Sequence, residues 1–147
     1  YLDIYSDKRF RADTDVEFMG NLVDLSAVSQ DAFMVAGVTD HITPWKACYR
    51  NVHLFGGEID FVLSNSGHIQ SLLNPPGNPK SKYFTNAEKP ETADEWVAGA
   101  EQQDGSWWPR WDQWLSERSG EMKTAPKSLG NKSYPPQTKA PGEYVFT

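Results

Sequence analysis

Cysteine is almost missing from this chain, and so is any turn that would present a nucleophile. The single cysteine, Cys48, cannot form an intrachain disulfide, which points to a reducing compartment. Neither Gly-x-Ser-x-Gly nor Gly-x-Cys-x-Gly occurs, so the strand-to-helix elbow that carries the nucleophile of many acyl-transferring enzymes is not found here. No apolar run approaches the roughly 20 residues of a membrane span. No basic-then-apolar leader follows Tyr1, so no secretory signal is visible. Lysine and arginine form no stripe and the net charge is −6. That argues against a nucleic-acid partner, because such binding is dominated by phosphate neutralisation. Apolar residues make up 38% of the 147, below the roughly 45–50% usual for a globular chain. The size fits one domain, and the low apolar content suits a piece whose core is completed by something else.

What is present is a compact α/β pattern. Residues 1–31, with a polar stretch over Lys8–Asp15, read as a connector with a little helix. Residues 32–73 form the clearest unit. Ala32-Phe33-Met34-Val35-Ala36, ended by Gly37, reads as a buried parallel strand. Thr43 is placed to cap a helix with Pro44 at its first position. Trp45, Cys48, Tyr49, Val52 and Phe55 then recur at helical spacing, and Gly56-Gly57 stops the run. Ile59-Asp60-Phe61-Val62-Leu63 is the second strand. Strand, helix, strand with short loops is a βαβ crossover. Residues 74–119 read as a loop rich in Pro, Gly and Asn followed by Trp-rich helices, with Thr92 and Ser106 as caps. Residues 120–147 hold several prolines and no periodicity, an irregular tail.

Active groups in an open α/β sheet gather beyond the carboxyl ends of the strands. Asp40 lies four residues past Ala36, and His68 five residues past Leu63. On neighbouring strands about 4.8 Å apart, both side chains project from one rim. The carboxylate can then hold one imidazole nitrogen and leave the other free to take a proton from a thiol or hydroxyl. Gly67 is expected to give the turn before His68 a positive φ. An Asp and a His after two strands also arise by chance, so spacing alone does not decide. His41 adjoins Asp40 and is expected to orient that loop through a local hydrogen bond. His53 is expected on the surface. Cys48 follows the Asp on an apolar helix face and reads as a packing residue. Trp45 reads equally as a wall of a substrate channel and as a helix anchor. The later tryptophans read as core, because each ring buries about 150–250 Å².

Longer stretches of wording carry a resemblance. Gly37 to Trp45, Ser64–Ser71, Leu73-Asn74-Pro75-Pro76-Gly77-Asn78-Pro79-Lys80, Thr85-Asn86, Gly105-Ser106-Trp107-Trp108-Pro109 with Trp111 and Trp114-Leu115, and Ala140-Pro141-Gly142-Glu143-Tyr144-Val145 occur in this order. Together they resemble the C-terminal region of polyhydroxyalkanoate synthases, and the Ser-Asn-Ser-Gly-His-Ile-Gln-Ser wording is most similar to those that accept medium-chain monomers. The resemblance implies the C-terminal part of an α/β-hydrolase fold, with the N-terminal part of the sheet elsewhere. It implies a transferase that polymerises 3-hydroxyacyl-CoA into a storage polyester and releases CoA, with no cofactor. Asp40 and His68 match the family's catalytic aspartate and histidine. The family's nucleophilic cysteine precedes both and is not in this chain, so the chain alone is expected to be inactive. It is also expected to fold poorly, because the inner edge strand of its βαβ unit would lack neighbours. Whether His68 or Asp40 activates the monomer's 3-hydroxyl stays open. Lys80 and Lys82 are candidates to meet CoA phosphates. The implied partners are the acyl-CoA, the growing polyester, the surface of a cytoplasmic polymer granule and a second copy of the chain.

Two other readings compete. An esterase with an upstream serine would carry the same Asp and His. A non-catalytic Trp-rich binding module would instead expose its tryptophans and need no nucleophile.

Overall fold

The computed structural model describes residues 16–147; the Lys8–Asp15 stretch lies outside them. Strand β1 (Val16–Phe18) pairs antiparallel with β2 (Asn21–Val23). This is a hairpin where the sequence suggested a connector with a little helix; among the described residues before residue 32 the helical part is a 3-10 turn, Leu25–Ala27. Met19-Gly20 makes the tight turn, both with positive φ (51° and 77°), a conformation that suits Gly and is unusual for Met.

The main sheet has four strands in the order β3 (Ala32–Gly37), β4 (Ile59–Ser64), β5 (Lys82–Thr85) and β6 (Glu101–Asp104). β3 and β4 are parallel, in register from Ala32–Ile59 to Gly37–Ser64. β5 and β6 extend the sheet antiparallel. The molecule is therefore a mixed α/β structure. The two expected strands are present, each one residue longer than the apolar run that revealed it.

The crossover helix is shorter than its apolar face suggested. α1 (Trp45–Tyr49) gives way to a 3-10 turn over Arg50–His53. Gly56 and Gly57 donate their N–H groups to the Val28 carbonyl at 3.0 and 3.2 Å. A Cβ on either would lie about 2 Å from the Ser26 or Gln30 carbonyl oxygen. These glycines are needed for close backbone approach to the 26–30 segment, beyond ending a helix.

Two corrections fall between 74 and 119. β5 and β6 occupy stretches assigned to loop and helix. β5 has four residues, too few to show a period, and β6 is Glu-Gln-Gln-Asp, with no apolar residue to mark a face. They form because an outer strand edge needs partners for its backbone donors and acceptors. The flanking helices are α2 (Ala93–Ala98) and α3 (Trp108–Ser116). Thr92 caps α2 in a full capping box with Glu95. Ser106 Oγ accepts the Trp108 N–H at 3.0 Å, and Pro109 falls in the first turn of α3.

Alternation along the strands sorts the core into two faces. Ala36, Ile59, Phe61 and Leu63 pack with Tyr49 of α1 and Trp96 of α2. The Tyr49, Phe61 and Trp96 rings meet edge to face or tilted, 5.0–5.7 Å apart. On the other face Phe33 lies 5.9 Å from both Trp107 and Trp114, and Asp60 pairs with Arg110 of α3 at 3.0 Å. Helices thus cover both sides of the sheet. After Ser116 the described chain holds one 3-10 turn, Tyr144–Phe146.

Candidate active site

The parallel pair ends in two turns on the same rim. After β3, the Asp40 N–H bonds back to the Gly37 carbonyl at 3.1 Å, reversing the chain. The Val38 and Thr39 N–H groups bond to the Ser64 and Ser66 carbonyls at 2.9 and 3.3 Å, so this turn is stitched to the one after β4. Gly37 permits that proximity, since a Cβ there would meet Ser71 Oγ at 2.2 Å and the Ser66 carbonyl at 2.6 Å.

The turns bring Asp40 and His68 together. His68 Nδ1 lies 2.8 Å from Asp40 Oδ2. The Asp40 side chain is 6% exposed and that of His68 42%. Asp40 Oδ1 accepts the N–H groups of Ile42 (2.9 Å) and Thr43 (3.0 Å), and Oδ2 accepts the Thr43 hydroxyl at 2.7 Å. Thr43's backbone N–H is the main cause holding the Asp40 carboxyl well below the usual carboxylate range. Desolvation opposes it, while His68, the Thr43 hydroxyl and the Ile42 N–H add to it. An ionised Asp40 only accepts hydrogen bonds. The proton of a neutral His68 therefore sits on Nδ1, which leaves Nε2 as a free acceptor on the exposed side. Among the described residues Nε2 makes no hydrogen bond.

The His68 turn is braced from a distance. Ser71 Oγ donates to the Ser66 carbonyl at 2.8 Å. The indole N–H groups of Trp107 and Trp108 donate to the Ser71 and Leu72 carbonyls at 2.7 and 3.0 Å. Asn74 is buried and receives hydroxyl hydrogen bonds from Ser81, at 2.6 Å on Oδ1, and from Ser106 on its carbonyl. Around the pair, Val38, Ile42, Ile69, Leu72 and Leu73 are exposed apolar side chains on the same two turns.

Other site expectations change. Thr43 does not cap α1, which has no side-chain cap; its hydroxyl is committed to Asp40. Among the described residues His41 makes no side-chain hydrogen bond, so the Asp loop is held by Thr43 and not by His41. Gly67 has no positive φ, and a Cβ there would make only ordinary contact with Thr39. Cys48 packs half-buried against the core, and burial, then the Asp40 charge, pushes its thiol up, the opposite of an activated nucleophile. Trp45 is half-buried against the same core. His53 is exposed, with Nε2 3.1 Å from the Pro90 carbonyl. Trp96 and Trp107 are buried, which takes both rings out of any stacking platform. Lys82 lies 3.8 Å from Asp104 at the far sheet edge. A cavity of about 540 Å³ opens at the opposite end of β4, beside Glu58–Phe61, Arg110 and Arg118, and touches neither Asp40 nor His68.

Sequence reasoning missed Thr43, Ser71, Trp107 and Trp108 as site supports. The Thr43 signal was available: an Asp whose carboxylate accepts N–H groups two and three residues on is an Asx turn.

No protein-family model matches the chain. Among curated proteins it is 52% identical over 130 residues to poly(3-hydroxyalkanoate) polymerase 1 of Ectopseudomonas oleovorans, covering 88% of this chain and 23% of that one. It is 50% identical over 132 residues to polymerase 2 of the same organism, covering 90% and 24%. Against the poly(3-hydroxyalkanoate) polymerase subunit PhaC of Cupriavidus necator it is 40% identical over 123 residues, covering 84% and 21%. The chain thus spans about a quarter of the length of the curated relatives it matches, a coverage consistent with a C-terminal portion of a longer polymerase.

Proposed function

From a chain homologous over nine-tenths of its length to poly(3-hydroxyalkanoate) polymerases, we infer that it is the acid–base part of a transferase that joins 3-hydroxyacyl groups from CoA into a polyester. The observation that carries this reading is the 2.8 Å contact between His68 Nδ1 and Asp40 Oδ2 at the carboxyl ends of adjacent parallel strands. An acid and then a base after consecutive strands support the C-terminal end of an α/β-hydrolase fold. On this reading the nucleophile is a cysteine supplied upstream, and the chain alone is inactive.

The chemistry then runs through one imidazole. His68 Nε2 takes the proton of the cysteine thiol, and the thiolate attacks the acyl carbonyl of 3-hydroxyacyl-CoA. The C–S bond to CoA breaks, and CoA leaves as a thiol carrying the His68 proton. In elongation, the 3-hydroxyl of one acyl group gives its proton to a base and attacks a neighbouring acyl thioester. An ester bond forms and a thiol is released. Asp40 is poorly suited to be that base. Both its oxygens already accept hydrogen bonds and its pKa is depressed, so its affinity for a proton is low. The geometry favours His68 in both steps and leaves Asp40 to fix its tautomer. The exposed apolar side chains of the two turns suit an acyl chain. The same reading places the enzyme, as a homodimer, at the surface of cytoplasmic polymer granules.

Single-turnover acylation, measured beside polymer release in the complete polymerase, tests the assignment. His68→Ala should abolish both steps, and Asp40→Asn should slow both in parallel. Normal acylation by the histidine variant overturns the base assignment. An aspartate variant slowed only in elongation moves hydroxyl activation to Asp40.

A further inference from the structure

We infer that Thr43 is a positioning residue for the Asp40–His68 pair, an inference that rests on the acid–base reading above. Oδ1 of Asp40 is held by two backbone N–H groups, which any residue other than proline at 42 and 43 supplies. Oδ2 is different, because its two partners are both side chains: the Thr43 hydroxyl at 2.7 Å and His68 Nδ1 at 2.8 Å. The carboxylate torsion has broad wells, so backbone donors on one oxygen leave the other free to swing. The Thr43 hydroxyl pins it. An ionised carboxylate is acceptor-only, so Thr43 must donate. Its proton and the Nδ1 proton of His68 then converge on one oxygen, which aims the imidazole and holds its proton on Nδ1.

The helix start makes no use of this hydroxyl. Thr43 stands just before Pro44, which is itself the N-cap of α1 and has no side-chain oxygen to offer the first turn. α1 has no side-chain cap. The hydroxyl faces the carboxylate instead, as expected of a group placed for the pair and not for the helix.

The test compares Thr43→Val, which keeps the shape and removes the hydroxyl, with Thr43→Ser, which keeps the hydroxyl. The first readout is independent of catalysis: imidazole ¹⁵N shifts of His68 and the ¹³C titration of the Asp40 carboxyl, recorded in the complete polymerase with selective labels. The valine variant should lose the Nδ1–H preference and move carboxyl protonation to higher pH, and the serine variant should match the parent. In the complete polymerase the valine variant should lower kcat about tenfold, as for one hydrogen bond to a charged group, with KM for the acyl-CoA unchanged and serine restoring the rate. A folded valine variant with parental imidazole and carboxyl signals overturns the inference. Changed signals alongside a fully active His68→Ala polymerase uphold the positioning role and sink the acid–base reading. Should the valine variant unfold, the hydroxyl proton of Thr43 in the parent polymerase decides. Slow exchange with water upholds the bond to Asp40, and exchange at the free solvent rate overturns it.

Discussion

The two turns that meet at the rim are built in opposite ways. The Asp40 carboxylate is fastened by its own neighbours, with every supporting donor other than His68 two or three residues away. The His68 turn is fastened by Trp107 and Trp108, 36 residues from the carbonyls they hold, and by the approach of Gly37. A locally closed turn keeps its shape wherever its few residues are present. A remotely braced turn keeps its shape only while the rest of the fold is packed. The acid's carboxylate therefore depends mainly on its own loop, and the base's turn depends on the docking of α3.

The largest effect that would break or sharpen this contrast comes from the brace. Trp107 is buried, stacks on Phe33 and donates to the Ser71 carbonyl. Trp107→Ala should cost about 3–5 kcal/mol in urea unfolding, the usual range for a buried Trp truncated to Ala. Amide exchange should quicken across residues 67–73 while Ile42 and Thr43 stay protected. Equal loosening of both turns would end the distinction. A smaller effect is expected from Ser71→Ala, which removes one bond to the Ser66 carbonyl and should cost about 1 kcal/mol, again confined to the His68 turn in exchange. The smallest concerns acid. Asp40 has a depressed pKa in the folded chain, so its contribution to stability is complete above the ordinary carboxylate value of 3.8. It declines below that pH as the unfolded carboxyl protonates first, and is gone below the folded value. Protection of the Ile42 and Thr43 amides should fall in that window, with the His68 turn following only on global unfolding. Acid that loosens residues 67–73 first would reverse the comparison.

The contrast also explains what the sequence made legible. The βαβ unit could be read because its strands are apolar runs bounded by Gly37 and by polar residues, and its helix carries a face at three- and four-residue spacing. Short connections then forced Asp40 and His68 to one edge. The braces could not be read, because nothing in Gly105-Ser106-Trp107-Trp108 says which carbonyls the indoles will find. β6 was invisible for a related reason: its four polar residues are a strand only because β5 lies beside them. Thr43 was misassigned because the helix begins one residue later than its pattern suggests: Pro44 is the N-cap, and the Thr43 hydroxyl donates to the Asp40 carboxylate.

The two borders of the sheet differ in hospitality. β6, a border strand, carries Glu101 and Asp104, both exposed, and charge on an edge strand discourages further pairing. β3 carries no charge along Ala32–Gly37 and, among the described residues, pairs on one side alone. The uncharged β3 margin is thus the one that favours a further strand. On the reading proposed above, a nucleophile supplied from outside this chain would then adjoin the aspartate side of the rim.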